Sequence, residues 1–174
     1  MPELSVAKII KWLGDDPKRE GLKDTPRRVA TRWRKLFAGY QVNLEDLLNY
    51  KGIKNSSKSR DVITIKDIEF ISFCEHHLLP MIGTVDISYI PSKKLIGIGH
   101  AIKIVQAFAQ RLQIQERMTA QIAEALEKCL DPLGVAVHVQ AKHYCVDPTE
   151  AGKLFVVLET HCLLGAFKAD KRSR

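Results

Sequence analysis

The stretch Val135-Ala136-Val137-His138-Val139-Gln140-Ala141-Lys142-His143-Tyr144-Cys145 decides the fold. Side chains of a β-strand alternate between its two faces, so Val135, Val137, Val139, Ala141, His143 and Cys145 share one side. A strand with one apolar face belongs to a sheet covered on that side, and here the covered side ends in an imidazole and a thiol. His138 falls on the opposite face and reads as an exposed or edge residue rather than a ligand.

Outward from this strand the chain alternates between two periods. Val62 to Ser72 is rich in β-branched and aromatic residues, and Val85, Ile87 and Tyr89 alternate with Asp86 and Ser88 before the Pro91-Ser92 turn, giving two more strands. Leu154 to Leu164 reads as a fourth, with His161 and Cys162 on opposite faces and both structural. Between the pairs, His100 to Leu130 has helical period. Ile102, Val105, Phe108, Ala109 and Leu112 form one stripe; Met118, Ile122, Ala125, Leu126 and Cys129 form another, with Gln113-Ile114-Gln115 as a break and Cys129 as packing. Upstream, Ser5 caps a first helix that Gly14 and Pro17 stop. Thr25 caps a second, with Pro26 in its first turn and Gly39 at its end. Arg27, Arg28, Arg32 and Arg34 give it a solvated face, and Lys51 to Arg60 reads as a mobile loop. The expectation is an α+β chain: an antiparallel four-stranded sheet with two long helices on one face, preceded by an N-terminal helical pair. Residues 1–60 form the helical region and loop, and residues 61–174 the main domain, within one structural unit. Two open sheet edges predict assembly with further copies.

Composition narrows the setting. The 174 residues are of single-domain size, 45% are hydrophobic, no run approaches transmembrane length, and the polar N-terminus lacks a secretory pattern, so a cytoplasmic protein without a membrane partner is expected. Four cysteines in a chain this long point to metal binding or burial rather than a disulfide scaffold. The formal charge of +7 favours anionic ligands. No nucleic-acid motif accompanies it, so a phosphate-bearing small molecule is expected rather than nucleic acid.

The chemistry concentrates in Phe73-Cys74-Glu75-His76-His77-Leu78-Leu79-Pro80. Cys74 and His77 have a spacing that lets one turn of backbone present sulfur and nitrogen to a single Zn²⁺. His76, adjacent, faces elsewhere and is left for proton transfer. Cys145, at a strand end, supplies a third ligand, and three protein ligands with an open fourth position are the arrangement of a hydrolytic zinc. Coordination by His76 or His143 as well would close the site, as in structural zinc.

These residues resemble the GTP cyclohydrolase I family. The resemblance runs from about Ser5 to Phe167 and is carried by residues 74–80, by Gln110-Arg111-Leu112-Gln113-Ile114-Gln115-Glu116-Arg117-Met118-Thr119, by His143-Tyr144-Cys145, and by Asp16-Pro17-Lys18-Arg19-Glu20-Gly21-Leu22 with Thr25-Pro26-Arg27-Arg28-Val29-Ala30. It implies the tunnelling fold and a toroidal homodecamer with active sites at subunit interfaces. Cys74, His77 and Cys145 map onto zinc ligands, His76 and His143 onto proton-transfer histidines, and Gln115 with Glu116 onto the guanine-recognition pair. Glu75, His100 and Lys103 complete the candidate substrate contacts. The implied reaction opens the imidazole ring of GTP: N7 is protonated, water activated by zinc adds at C8, formate leaves, and rearrangement with reclosure gives 7,8-dihydroneopterin triphosphate.

Departures from the family pattern fall on the triphosphate grip. Gly99-His100 stands where a Ser-Lys pair is usual, Lys103 where an Arg is usual, Val146-Asp147-Pro148-Thr149-Glu150 where Arg-Gly follows the third zinc ligand, and Thr31 where a Lys is common. Lys103, His100, Arg111, Lys142 and Lys153 are the cations placed to compensate. Two alternatives accompany the leading expectation: related zinc chemistry on another purine or pterin with fewer phosphates, or a non-catalytic zinc-stabilised assembly. A nitrile reductase of the same fold ranks below these, because the Cys-Glu-His-His run and the second cysteine favour hydrolysis.

Overall fold

The computed structural model describes residues 2–146, 152 and 155–169. Two compact units divide at Ala38 and Gly39. In the first, α1 (Pro2–Trp12) and α2 (Thr25–Leu36) pack on each other and bury Val6, Ile10 and Ala30. The helix α1 starts at Pro2, before Ser5, and Asp24 rather than Thr25 is the N-cap of α2. Asp24 makes no side-chain cap; its carboxylate faces Arg27 and Arg28 instead.

A 3₁₀ turn (Ala38–Gln41) spans the division, and the second unit continues with α3 (Leu44–Leu48), which Asn43 caps by accepting from the Glu45 and Asp46 N–H groups. Leu44, Leu47, Leu48 and Tyr50 pack on the main core, so these residues belong with the sheet and not with the helical pair. The stretch expected as a loop contains β1 (Ile53–Lys54), which pairs with β4 (Lys94–Leu95). Asn55 fixes the rest by donating to the Ser59 and Ser92 carbonyls.

The main sheet consists of β2 (Ile63–Cys74), β3 (Pro80–Ile90), β6 (Gly134–His143), β7 (Val156–Gly165) and the two-residue β5 (Leu112–Gln113), in the order β5-β2-β3-β6-β7. Four strands are antiparallel, as the alternation predicts. The fifth, β5, pairs parallel to the end of β2 and is too short to have a period of its own. The helices α4 (Ile98–Ala109) and α5 (Gln115–Leu130) cover one face, and Ala166–Ala169 forms a last short helix, α6. Ile104, Val105, Met118, Ile122 and Leu126 meet Val85, Ile87, Val135, Val137 and Val139 in one core. Cys129 lies inside it; burial pushes its thiol up to about 11, as expected of a packing residue. Asp131, in a left-handed conformation, ends α5.

Register brings the chemistry to one end of the sheet. Alternation along β2 buries Ile68, Phe70, Ser72 and then Cys74. Phe73 opposes Pro80 on one side and Leu112 on the other, and Met81 opposes His143. The end of β2, the start of β3, the end of β6 and the start of α5 are therefore neighbours.

Candidate active site

Residues 74–79 form one tight turn. The Leu78 N–H donates to Cys74 O and the Cys74 N–H donates to Leu79 O, both at 2.9 Å. Leu78 takes a left-handed conformation with φ of 56°, which costs a non-glycine residue about 1–2 kcal/mol. What this turn achieves is convergence: the His77 Nδ1 lies 3.7 Å from Cys74 Sγ. Cys145 arrives from just beyond β6, and ligand atoms of Cys74, His77 and Cys145 lie within 4.8 Å of one another. His76 and His143 stand beside this triple, with Nδ1 atoms 3.5 Å from Cys74 Sγ and 4.0 Å from Cys145 Sγ.

Two sulfurs and one imidazole nitrogen at that spacing suit zinc. Burial, and then the Cys74 thiol beside it, push the Cys145 thiol above its ordinary value. A divalent cation reverses that bias, because thiolates are its ligands.

His143 is held firmly. Its Nε2 lies 2.7 Å from Gln115 Oε1, while the Gln115 amide nitrogen donates to Val139 O, Leu158 O and Thr160 Oγ1. Carbonyl oxygens only accept, so the Gln115 carboxamide has one orientation, its oxygen accepts a hydrogen bond from His143 Nε2–H, and Nδ1 carries the lone pair. Burial lowers the His143 pKa against a smaller opposing effect of Glu116, which favours the neutral ring. Thr119 Oγ1 donates to Gln115 O and also meets Thr160 Oγ1.

Cys74, His76, Gln115, Glu116, His143 and Cys145 line a cavity of about 210 Å³, with Met81 and Leu158 among its apolar walls. A larger groove of about 580 Å³ lies on the open sheet face between Ile71, Ile82 and Tyr144 and holds none of these donors. Glu116, in the first turn of α5, is exposed toward solvent. Gln115 is buried and turned onto His143, an arrangement different from that of its neighbour. Glu75 is not in the cavity wall; its carboxylate pairs with Arg117, whose Nε donates to Gln113 Oε1. Arg117, Thr119 and Thr160 are the supporting residues that the sequence reading missed. Arg117 lies in a quoted motif, but nothing local marks Thr160, whose place depends on the β6–β7 register.

The expected phosphate residues lie apart from the cavity within this chain. His100, in the first turn of α4, sets its Nε2 3.0 Å from Leu47 O and stacks on Tyr50 at 3.9 Å. Burial first, and Lys103 to a lesser degree, lower its pKa, so it is a neutral ring at neutral pH. Lys103 is exposed. Arg111 donates to Gly39 O and lies 5.4 Å from the Phe108 ring centroid; Lys142 lies over Phe155. Thr31 donates to Arg27 O in its own helix. Asp147, Thr149, Glu150 and Lys153 lie outside the described residues.

With this geometry in place, comparison with known proteins is decisive: the family model for GTP cyclohydrolase I matches residues 3–174. The chain belongs to the GTP cyclohydrolase I family. A GTP cyclohydrolase 1 of Rickettsia felis is 44% identical over 170 residues, covering 98% of this chain and 89% of the relative. The GTP cyclohydrolase 1 of Leptospira biflexa is 44% identical over 169 residues, covering 97% and 91%. Among solved structures, the apo archaeosine synthase QueF-Like superposes with a TM-score of 0.53 at 20% identity, over 63% of this chain and 98% of that one. That likeness concerns the fold alone, and the fold is the tunnelling fold. Membership makes the chain an enzyme of the GTP cyclohydrolase I type. No helix among its described residues is long and apolar enough to cross a membrane.

Proposed function

We propose that this member of the family opens the imidazole ring of GTP hydrolytically, releases formate and yields 7,8-dihydroneopterin triphosphate, with zinc held by Cys74, His77 and Cys145. The observation that carries the reading is the convergence of this sulfur–sulfur–nitrogen triple, two of whose members, Cys74 and Cys145, line one cavity with His76, His143 and Glu116. Zinc held there supplies the Lewis acidity that makes water a nucleophile at neutral pH.

The side chains divide the remaining work. The Glu116 carboxylate accepts parallel hydrogen bonds from N1–H and the 2-amino group of guanine, a pattern that adenine lacks. Anchoring that edge turns C8 and N7 toward the cysteines. His143, neutral and with its lone pair on Nδ1, takes the proton of the water that adds at C8. His76, on the cavity wall, delivers the N7 proton. Gln115 acts as a positioning residue, fixing the tautomer and direction of the His143 ring. The substrate's phosphates extend beyond this small cavity. Lys103 and further cations meet them from a neighbouring copy in a homo-oligomer, by the resemblance a decamer.

The test is incubation of the zinc-loaded protein with GTP, measuring formate and, after oxidation, a fluorescent pterin. Stoichiometric formate and pterin are expected; zinc-loaded, assembled protein that yields neither overturns the reading. One observation favours a second reading, a purine substrate with fewer phosphates: His100 is neutral and committed to Leu47 and Tyr50, not to an anion. A kcat/KM for guanosine monophosphate above that for GTP would select it.

A further inference from the structure

On the face of the sheet turned away from α4 and α5, three adjacent strands set Asp86, His138 and His161 in a row. Asp86 opposes His138 across β3–β6, and His138 opposes His161 across β6–β7. Glu159, two residues before His161, shares its face of β7. Ligand atoms of His138, Glu159 and His161 lie within 4.8 Å of one another. None of these residues belongs to the cavity described above.

Hydrogen bonds fix which atom of each group is available. The Asp67 N–H, at a bulge in β2, donates to Asp86 Oδ1 at 2.8 Å, so Asp86 turns Oδ2 toward His138 Nδ1, 3.8 Å away. Gln140 Nε2 donates to Glu159 Oε1 at 2.6 Å, so Glu159 turns Oε2 toward His138 Nε2, 3.6 Å away. Carboxylates thus flank both ring nitrogens, neither within hydrogen-bond distance, and a cation at Nε2 would select the tautomer with Nδ1–H toward Asp86 and the lone pair on Nε2, as around metal-bound histidines. Among the described residues, His138 Nε2 is the buried side-chain nitrogen without a hydrogen-bond partner. Such an atom calls for an explanation, and an ion is one. Its 3.6 Å separation from Glu159 Oε2 is too long for a hydrogen bond. It is close to the about 3.3 Å between two ligands of one tetrahedral cation with bonds of about 2.0–2.1 Å.

We propose that His138, Glu159 and His161, with Asp86 orienting His138, form a second cation site on the open face of the sheet. Its two imidazoles and a carboxylate suit a first-row divalent ion such as Zn²⁺ or Co²⁺. The His138 and His161 rings are stacked at 4.5 Å and 8°, so binding turns the exposed His161 ring until its lone pair meets the ion. Its ligands come from β6 and from the edge strand β7, so occupancy clips that edge to the sheet. The inference does not depend on the substrate of the first site.

Cobalt(II) titration of the metal-free, full-length protein separates the two sites, because of the two only the first, with Cys74 and Cys145, gives sulfur-to-cobalt charge-transfer absorption. Two equivalents per chain are expected, one with that absorption and one without. In the His138→Ala/His161→Ala variant the second equivalent is lost while the sulfur-ligated one remains. Asp86→Asn, which keeps an oxygen for the Asp67 N–H, should weaken the second equivalent about 10–100-fold without displacing either histidine. Saturation of the wild type by the sulfur-ligated equivalent alone overturns the proposal and makes the row an ion-pair network. Two equivalents in the double variant, or unchanged affinity in Asp86→Asn, overturn it equally. Loss of the charge-transfer band with the other equivalent intact counts against the cysteine site alone.

Discussion

At Gln115 a single carboxamide joins a backbone, a neighbouring strand and a functional ring. Replacing it with Met keeps the volume but removes both the acceptor for His143 Nε2–H and the donors to Val139 O and Leu158 O. Leaving such buried groups unpaired costs about 1–3 kcal/mol each where water does not replace the partner. Gln115→Met is therefore expected to lower the denaturant midpoint and to lower kcat, with zinc content unchanged. His143→Ala should reduce turnover by about 10²–10⁴-fold, the usual contribution of a positioned acid or base, and also retain zinc by elemental analysis. Cys145→Ala behaves differently. It removes one of three ligands, so metal and activity are lost together, and full zinc content in that variant would exclude the three-ligand site. Cys74 and His77 were legible in the sequence because strand parity and a tight turn determine their direction, whereas the strand expected to reach Cys145 ends at His143. Gln115's contacts were not, since Thr160 and Leu158 reach it only through the β6–β7 register.

Elements, in contrast, were legible to the extent that each carries its own period. β2, β3 and α5 lie where their patterns place them. α4 ends at Ala109, so that Leu112, expected on its stripe, lies in β5, and β6 ends at His143, two residues short of the expected strand. β1, β4 and β5 have two residues each and exist only through pairing. Close approach between elements was also hidden. Gly83 on β3 faces β6 so tightly that an added Cβ would lie 1.9 Å from Gln140 O and 2.6 Å from Ala141 Cα. Backbone does not yield as a side-chain tip does, so Gly83→Ala should cost at least about 3 kcal/mol, the upper end of overpacking penalties, read as a lower denaturant midpoint. Between α3 and α4 the coupling is titratable. His100 has a folded pKa below its ordinary value of 6.5. Below that ordinary value the unfolded chain takes up the proton while the folded chain resists, so stability is full above pH 6.5 and declines as pH falls toward the folded pKa. His100→Gln, which retains a donor for Leu47 O, should flatten this decline in melting temperature as pH falls below about 6.5; equal slopes for both proteins would remove His100 from the account.

Across the whole molecule, the proposed function separates metal binding from substrate turnover in their dependence on assembly. All three candidate zinc ligands come from one chain, so that site needs no second copy. The cavity, at about 210 Å³, is lined by Glu116, the proposed base-recognition residue, but His100 and Lys103 are not in its wall. A triphosphate must find its cations elsewhere, and a neighbouring copy is the source in the proposed oligomer. The second unit offers surfaces for such copies: β7 is an edge strand among the described residues, and Ile71, Ile82 and Val157 are exposed on the main sheet. Glu at both Ile82 and Val157 places charge where apolar contact would form, without touching a candidate ligand or His143's partners. Light scattering should show the wild type as a large homo-oligomer and Ile82→Glu/Val157→Glu as smaller species. In the variant, zinc per chain should stay at the wild-type level while KM for GTP rises steeply. If the smaller species turns over GTP with unchanged KM, the phosphate cations lie within one chain, and Lys103, Arg111 and Lys142 become the residues to replace.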